Sequence, residues 1–122
     1  MIFNQLFDTK SSTYTYIIAS DKGREAIVID PVIENTNEYL KVLKELDLKL
    51  VKVIDTHIHA DHITGASKLK KVTNCSTIMG EHTPADTVEI KVKNEEIIKI
   101  DQIEIKAMYT PGHTSDSYSF LM

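Results

Sequence analysis

Cysteine, basic clusters and long apolar runs are all scarce in this chain of 122 residues, and each shortage narrows what it can be. Its one cysteine, Cys75, cannot close an internal disulfide and fits a reducing compartment. Within "T-N-C-S-T-I-M" it reads as a small apolar residue opening a buried strand rather than as a reactive thiol. No stretch approaches the roughly 20 apolar residues that would span a bilayer, so no membrane association is expected. The opening M-I-F-N-Q-L-F-D has neither the basic start nor the sustained apolar core of a secretory signal, and the expected location is cytoplasmic. Fourteen Lys and Arg stand against eighteen Asp and Glu, a formal net charge of -4, and no basic cluster is denser than Lys68, Lys70 and Lys71. That is no footprint for a phosphate backbone, and nucleic acid is not an expected partner. With four glycines and three prolines, the chain shows no linker, repeat or low-complexity tract.

What is present is the composition of a folded chain, 42% hydrophobic and 26% charged, at the length of one domain spanning residues 1–122. β-Branched and aromatic runs predict strands over Ile2 to Phe7, Thr13 to Ala19 and Glu25 to Asp30, with Asp21-Lys22-Gly23 as a turn and Pro31 as a stop. Asn35 with Glu38 three residues on resembles a capping box, and Tyr39, Val42, Leu43 and Leu46 at helical spacing predict a helix ending near Asp47. A short strand follows, Leu50 to Ile54. A second helix is expected over Gly65 to Val72, with Ala66, Leu69 and Val72 on one face. Further strands are read at Cys75 to Met79, Val88 to Val92, Ile97 to Ile100, Ile103 to Met108 and Tyr118 to Leu121. Two helices among many strands make an α/β layered domain, a mixed sheet with helices on one outer face.

The stretch "D-T-H-I-H-A-D-H-I-T-G", Asp55 to Gly65, crowds three of the five histidines and two aspartates into the loop between the Leu50–Ile54 strand and the second helix. A loop can aim successive side chains at one spot, so His57 and His59 can reach one ion, with Asp61 and His62 offset toward a neighbouring position. Imidazole and carboxylate together suit zinc, iron or manganese, and the shortage of thiols excludes a zinc-finger type of site. Asp55 is a candidate partner for fixing a ring's tautomer. A single histidine in a loop is more often a cap or a surface group; four ligand-type residues in six positions favour metal. "Y-T-P-G-H-T-S-D-S-Y-S-F" repeats the strand-then-loop context, with Gly112 allowing close approach, and makes His113 a further candidate ligand. His82 reads as a surface histidine or one that supports a ligand from behind, and Asp116 as a residue that either approaches the site or serves a turn or cap.

These residues resemble the H-x-H-x-D-H motif of the metallo-β-lactamase superfamily, present as His57, His59, Asp61 and His62 with the next histidine at His113. Within it, "R-E-A-I-V-I-D-P-V", "T-H-I-H-A-D-H-I-T-G" and "Y-T-P-G-H-T-S-D-S-Y-S-F" resemble the persulfide dioxygenase group over nearly the whole chain. The resemblance implies an αββα sandwich, of which this chain corresponds to the N-terminal half, and a metal held by His57, His59, Asp61, His62 and His113. It implies oxidation of glutathione persulfide by O₂ to sulfite and glutathione at one non-haem Fe(II), with His57 and His113 as iron ligands. His59, Asp61 and His62 then shape the pocket or bond to metal-bound water, Asp61 being the candidate catalytic carboxylate. The aspartate completing the family's iron site, the later histidine of its binuclear members and the glutathione-contacting residues are implied to lie on a further half beyond Met122. A small thiol or persulfide substrate is expected, together with a homodimer or association with a second chain. Two other readings remain open: a glyoxalase II-like thioester hydrolase with two metals, Zn(II) among them, and a non-catalytic metal-binding or interaction module.

Overall fold

Residues 1–56, 65–81, 89–110 and 118–122 are described by the computed structural model of the chain. Period-two alternation in the first 19 residues makes a hairpin: β1 (Ile2–Asp8) pairs antiparallel with β2 (Thr13–Ala19), from Ile2 opposite Ala19 to Asp8 opposite Thr13. Asp8 ties the turn, one carboxylate oxygen accepting from Ser11 N (2.9 Å) and Ser11 Oγ (2.7 Å), the other from Asn35 Nδ2 (3.0 Å). The Ser11 hydroxyl and amide, joined by Asn35, hold this carboxyl below its ordinary range. Then β3 (Glu25–Ile29) pairs antiparallel with β2, and β4 (Lys49–Ile54), β5 (Ser76–Gly80) and β6 (Ile90–Val92) follow in parallel. Parallel neighbours need crossovers. The helices α1 (Thr36–Glu45) and α2 (Ala66–Thr73) lie in the first two of these connections.

The sheet β1-β2-β3-β4-β5-β6 is mixed, as the sequence predicts, but the strands after residue 97 do not join it. β7 (Ile97–Ile100), β8 (Ile103–Tyr109) and β9 (Tyr118–Leu121) form their own antiparallel sheet. This second sheet packs on the face opposite the helices, where Ile18, Ile54 and Ile78 meet Ile98, Ile105 and Ala107. On the helix side, Ile17, Val28 and Val53 meet Tyr39, Leu43 and Leu69. Coverage on both faces explains why β3 reads as an unbroken apolar run after Glu25, and β4 as apolar apart from Lys49 and Lys52. Each fully buried isoleucine contributes about 1.5–3 kcal/mol, so the second sheet is as much part of the core as the helices. Asp101, at φ 47° in the β7–β8 turn, joins the sheets by accepting from Arg24 Nη2 (3.1 Å) and Glu25 N (3.0 Å).

Two local expectations fail. The Asn35 side chain does not cap α1; it donates to Asp8, and a 3₁₀ turn (Ile33–Asn35) leads into the helix instead. Val72 is 59% exposed while Ala66 and Leu69 are buried. At 100° per residue each i+3 step drifts by about 60°, so two such steps carry Val72 off the buried face. α2 ends on Asn74 in the left-handed region (φ 60°), whose N–H bonds to Lys70 O, an αL stop that asparagine tolerates.

Candidate metal centre

The candidate ligands His57, His59, Asp61 and His62, in residues 57–64, and His113, in residues 111–117, lie outside the described residues, as do His82 and Asp116. What is described is the frame from which these segments spring. β4 ends at Ile54, Asp55 N donates to Ile78 O on β5 (3.1 Å), and Asp55 is buried. Thr56, the residue before His57, is held on three atoms. Its N–H donates to Asp30 Oδ1 and its hydroxyl to Asp30 Oδ2, both at 2.8 Å, and its carbonyl accepts from Tyr118 N at 2.8 Å. At the far end of the segment, Gly65 N donates to Pro31 O (2.7 Å). A Cβ on Gly65 would lie 3.2 Å from Pro31 Cβ and 3.3 Å from the Val32 backbone, a closeness that favours glycine there. Thr56 and Gly65 are thus both fastened to the Asp30-Pro31-Val32 corner.

That corner is built from below. Asp30 sits at φ 56°, a conformation aspartate tolerates better than most residues, and its N–H donates to Ile54 O (2.7 Å). Thr15 Oγ1 donates to Asp30 O (2.7 Å) and takes its own hydrogen bond from Tyr39 OH (3.0 Å), which in turn accepts from Val32 N (3.0 Å). Thr15 and Tyr39 are each about 1% exposed, so this relay is fully buried and rigid. Sequence reading gave Asp30 no role beyond the resemblance; the available sign was Asp-Pro directly after an apolar strand, a pair that marks irregular backbone.

The His113 segment is joined to the same place. It runs between Tyr109 at the end of β8 and Tyr118 at the start of β9, which pair with each other, and Tyr118 N is the donor to Thr56 O. Gly80, at the end of β5, receives the Tyr118 ring so closely that a Cβ there would fall 2.0 Å from the ring. Burial, and secondarily the charge of Glu81, pushes the Tyr118 phenol up. The described residues next to 57–64, 82–88 and 111–117, namely Thr56, Glu81 and Tyr118, therefore lie together on one rim of the sandwich, at the carboxyl ends of parallel strands β4 and β5, where open α/β sheets bind ligands. Among the described residues, no three His, Cys, Asp or Glu gather into a metal site. Cys75 is buried on the helix side of the sheet, its thiol pushed up by burial, and is no part of this rim. The donors that the three segments bring are nitrogen and oxygen, a set that fits zinc, iron or manganese.

A mixed sheet with helices on one face and a second sheet on the other make the metallo-β-lactamase fold, and the chain belongs to the metallo-β-lactamase superfamily, whose family model matches residues 8–122. Within it the chain is similar to the mouse protein named persulfide dioxygenase ETHE1, mitochondrial, 32% identical over 123 residues, all of this chain and 48% of that protein. The crystal structure of ETHE1 from Myxococcus xanthus superposes with a TM-score of 0.94 at 42% identity, over 99% of this chain and 53% of that one. A hydroxyacylglutathione hydrolase from Dictyostelium discoideum is 30% identical over 111 residues, 89% of this chain and 41% of that protein. The chain spans about half the length of the curated relatives it matches.

Proposed function

We propose that the chain is a metalloprotein of persulfide dioxygenase type, acting on a glutathione-type persulfide. The observation that carries this reading is the match to an ETHE1 structure over 99% of the chain at 42% identity and to ETHE1 sequences over all of it, where hydroxyacylglutathione hydrolases at up to 33% identity match a smaller share. In the proposed reaction the terminal sulfur gives four electrons to O₂, the S–S bond breaks, and water supplies the third oxygen of sulfite. Glutathione leaves as the thiol. Bound to His57 and His113, Fe(II) would supply open positions for sulfur and dioxygen. His59 and His62 would orient the substrate, and Asp61 would hold a proton at its carboxylate. Thr56, the residue before His57, is clamped by Asp30 and Tyr118. Cys75, free and buried, suits a reducing compartment, and we place the chain in the cytoplasm, although its mammalian relatives are named mitochondrial.

A second reading, thioester hydrolysis at two metals, is supported by the hydroxyacylglutathione hydrolase matches. Oxygen uptake with glutathione persulfide on iron-loaded protein, run beside hydrolysis of a glutathione thioester on zinc-loaded protein, tests both. Persulfide-dependent oxygen uptake supports the first reading, thioester hydrolysis alone supports the second, and neither activity in a metal-loaded, folded sample leaves a binding module.

A further inference from the structure

Tyr39 carries a hydroxyl that the packing of α1 does not require. Its ring is buried in the same cluster as Leu43, Val28 and Val53, and a phenylalanine ring would fill that space equally well. A hydroxyl in such a place is costly unless it is bonded. This one is bonded twice, once to main chain and once to a side chain, and both partners belong to the Asp30-Pro31-Val32 corner.

The direction of each bond follows from its neighbours. Val32 N–H donates to the Tyr39 oxygen (3.0 Å), which leaves the phenol proton for Thr15 Oγ1 (3.0 Å), whose own proton goes to Asp30 O (2.7 Å). The run of donors starts on one side of Pro31 and ends on the other, closing a ring around a residue that has no N–H of its own. Within that ring Asp30 is held at φ 56°. Non-glycine backbone stays in this region where its surroundings over-determine it, and here the ring does so together with the bond from Asp30 N to Ile54 O (2.7 Å).

Both described residues that flank 57–64 depend on how the ring is set. Thr56 is held by the Asp30 carboxylate, with two bonds of 2.8 Å, and Gly65 N by the Pro31 carbonyl at 2.7 Å. Gly65 also lies against Pro31 and Val32, so closely that a Cβ would come within 3.2 Å and 3.3 Å of them. We infer that Tyr39 is a positioning residue for the candidate metal centre: from helix α1 its hydroxyl sets the placement of Thr56 relative to Gly65, and so the span that residues 57–64, with His57, His59, Asp61 and His62, must bridge. Without the hydroxyl, Val32 N–H loses its acceptor and Thr15 its donor. Asp30 can then relax toward negative φ, which turns its carboxylate from Thr56 and the Pro31 carbonyl from Gly65. The link to metal rests on the reading proposed above; the hold on Thr56 and Gly65 rests on these bonds alone.

Tyr39→Phe and Thr15→Val each break the ring while keeping nearly the same side-chain shape, and Thr15→Ser keeps it closed. Leu43→Ala, at a buried position on the same helix with no part in the ring, is the control for general loosening, and circular dichroism checks that each variant folds. Two readouts are taken on the chain: amide exchange by NMR without metal, and titration with Co(II) followed by visible absorption. In Y39F and T15V, exchange at Thr56 and Gly65 should speed up about tenfold more than at the β4 amides. Their Co(II) affinity should fall about tenfold, at the low end of the loss when residues that support ligands are removed, and the cobalt bands should shift. T15S should stay close to wild type, and L43A should speed all these amides alike and leave the bands in place. Y39F and T15V with the exchange ratio of wild type, T15S as disruptive as T15V, or the same selective acceleration in L43A would overturn the inference. So would altered exchange with unchanged cobalt bands and affinity, which would make the hydroxyl a structural contact only. Wild-type protein that takes up no Co(II) would instead overturn the metal reading, and the exchange ratio would then decide the hold of Tyr39 on Thr56 and Gly65 by itself.

Discussion

Replacing Asp30 separates the two jobs the corner performs, holding Thr56 and tolerating a left-handed backbone. In Asp30→Asn the amide oxygen still accepts from Thr56 N–H, and the amide nitrogen can donate to the Thr56 hydroxyl, which turns round to accept. Only the charge assistance is lost, a cost of about 1 kcal/mol. In Asp30→Ala both 2.8 Å bonds disappear and the Thr56 N–H is left without its acceptor, at about 1–3 kcal/mol. Alanine at φ 56° adds about 1 kcal/mol of backbone strain. Together these give about 2–4 kcal/mol for D30A, or a Tm lower by roughly 10 °C at this chain length. Because His57 follows Thr56 directly, metal affinity should fall with it, by about 10–100-fold, the scale seen when residues that orient ligands are removed. Thermal unfolding of metal-free protein and competition against a chelator for zinc or iron measure the two effects. D30A with the melting temperature and metal affinity of wild type would refute the claim that Asp30 sets the start of the ligand segment.

Three further outcomes follow from particular contacts. Gly80→Ala forces a methyl to within 2.0 Å of the Tyr118 ring and should destabilise by about 1–3 kcal/mol, with much of the loss recovered in a G80A/Y118A double mutant relative to the sum of the single mutants; additive losses would contradict the packing. Asp101 is held below its ordinary pKa, chiefly by the Arg24 hydrogen bond, so its contribution is complete above the unfolded carboxylate range and is lost as pH falls through the lower, folded value; Asp101→Asn should flatten the acid limb of stability against pH, and an unchanged limb would count against the tie. Cys75, buried with its thiol pushed up by burial, should resist alkylation at neutral pH in the native protein and react in denaturant; rapid native labelling would contradict its burial.

Much of the fold was legible because its signals are local. Alternation in Ile2–Phe7, turn residues at Asp21-Lys22-Gly23 and the spacing of Tyr39 and Leu43 each depend on a few neighbouring residues, and β1, β2, α1 and β7 appear within a residue or two of expectation. Partnership was less legible. Ile97–Ile100 and Ile103–Tyr109 alternate like any half-buried strands, and nothing in their pattern says that they pair with each other and β9 rather than extend the first sheet. Asn35 has the right type and spacing for a cap, yet Asp8, twenty-seven residues away, takes its amide. The candidate ligands His57, His59, Asp61 and His62, expected from density of type, lie outside the described residues; the frame before them was not legible, because Asp30, Thr15 and Tyr39 converge only after β2, β3 and α1 have packed.

The central claim is that the segments leaving this rim bind one catalytic metal. Metal content by elemental analysis of the purified chain, beside His57→Ala, tests it most directly. The account predicts about one iron per chain, lost in the variant while the fold survives. A well-folded sample that neither carries nor takes up metal, or one whose metal is indifferent to His57, would contradict it.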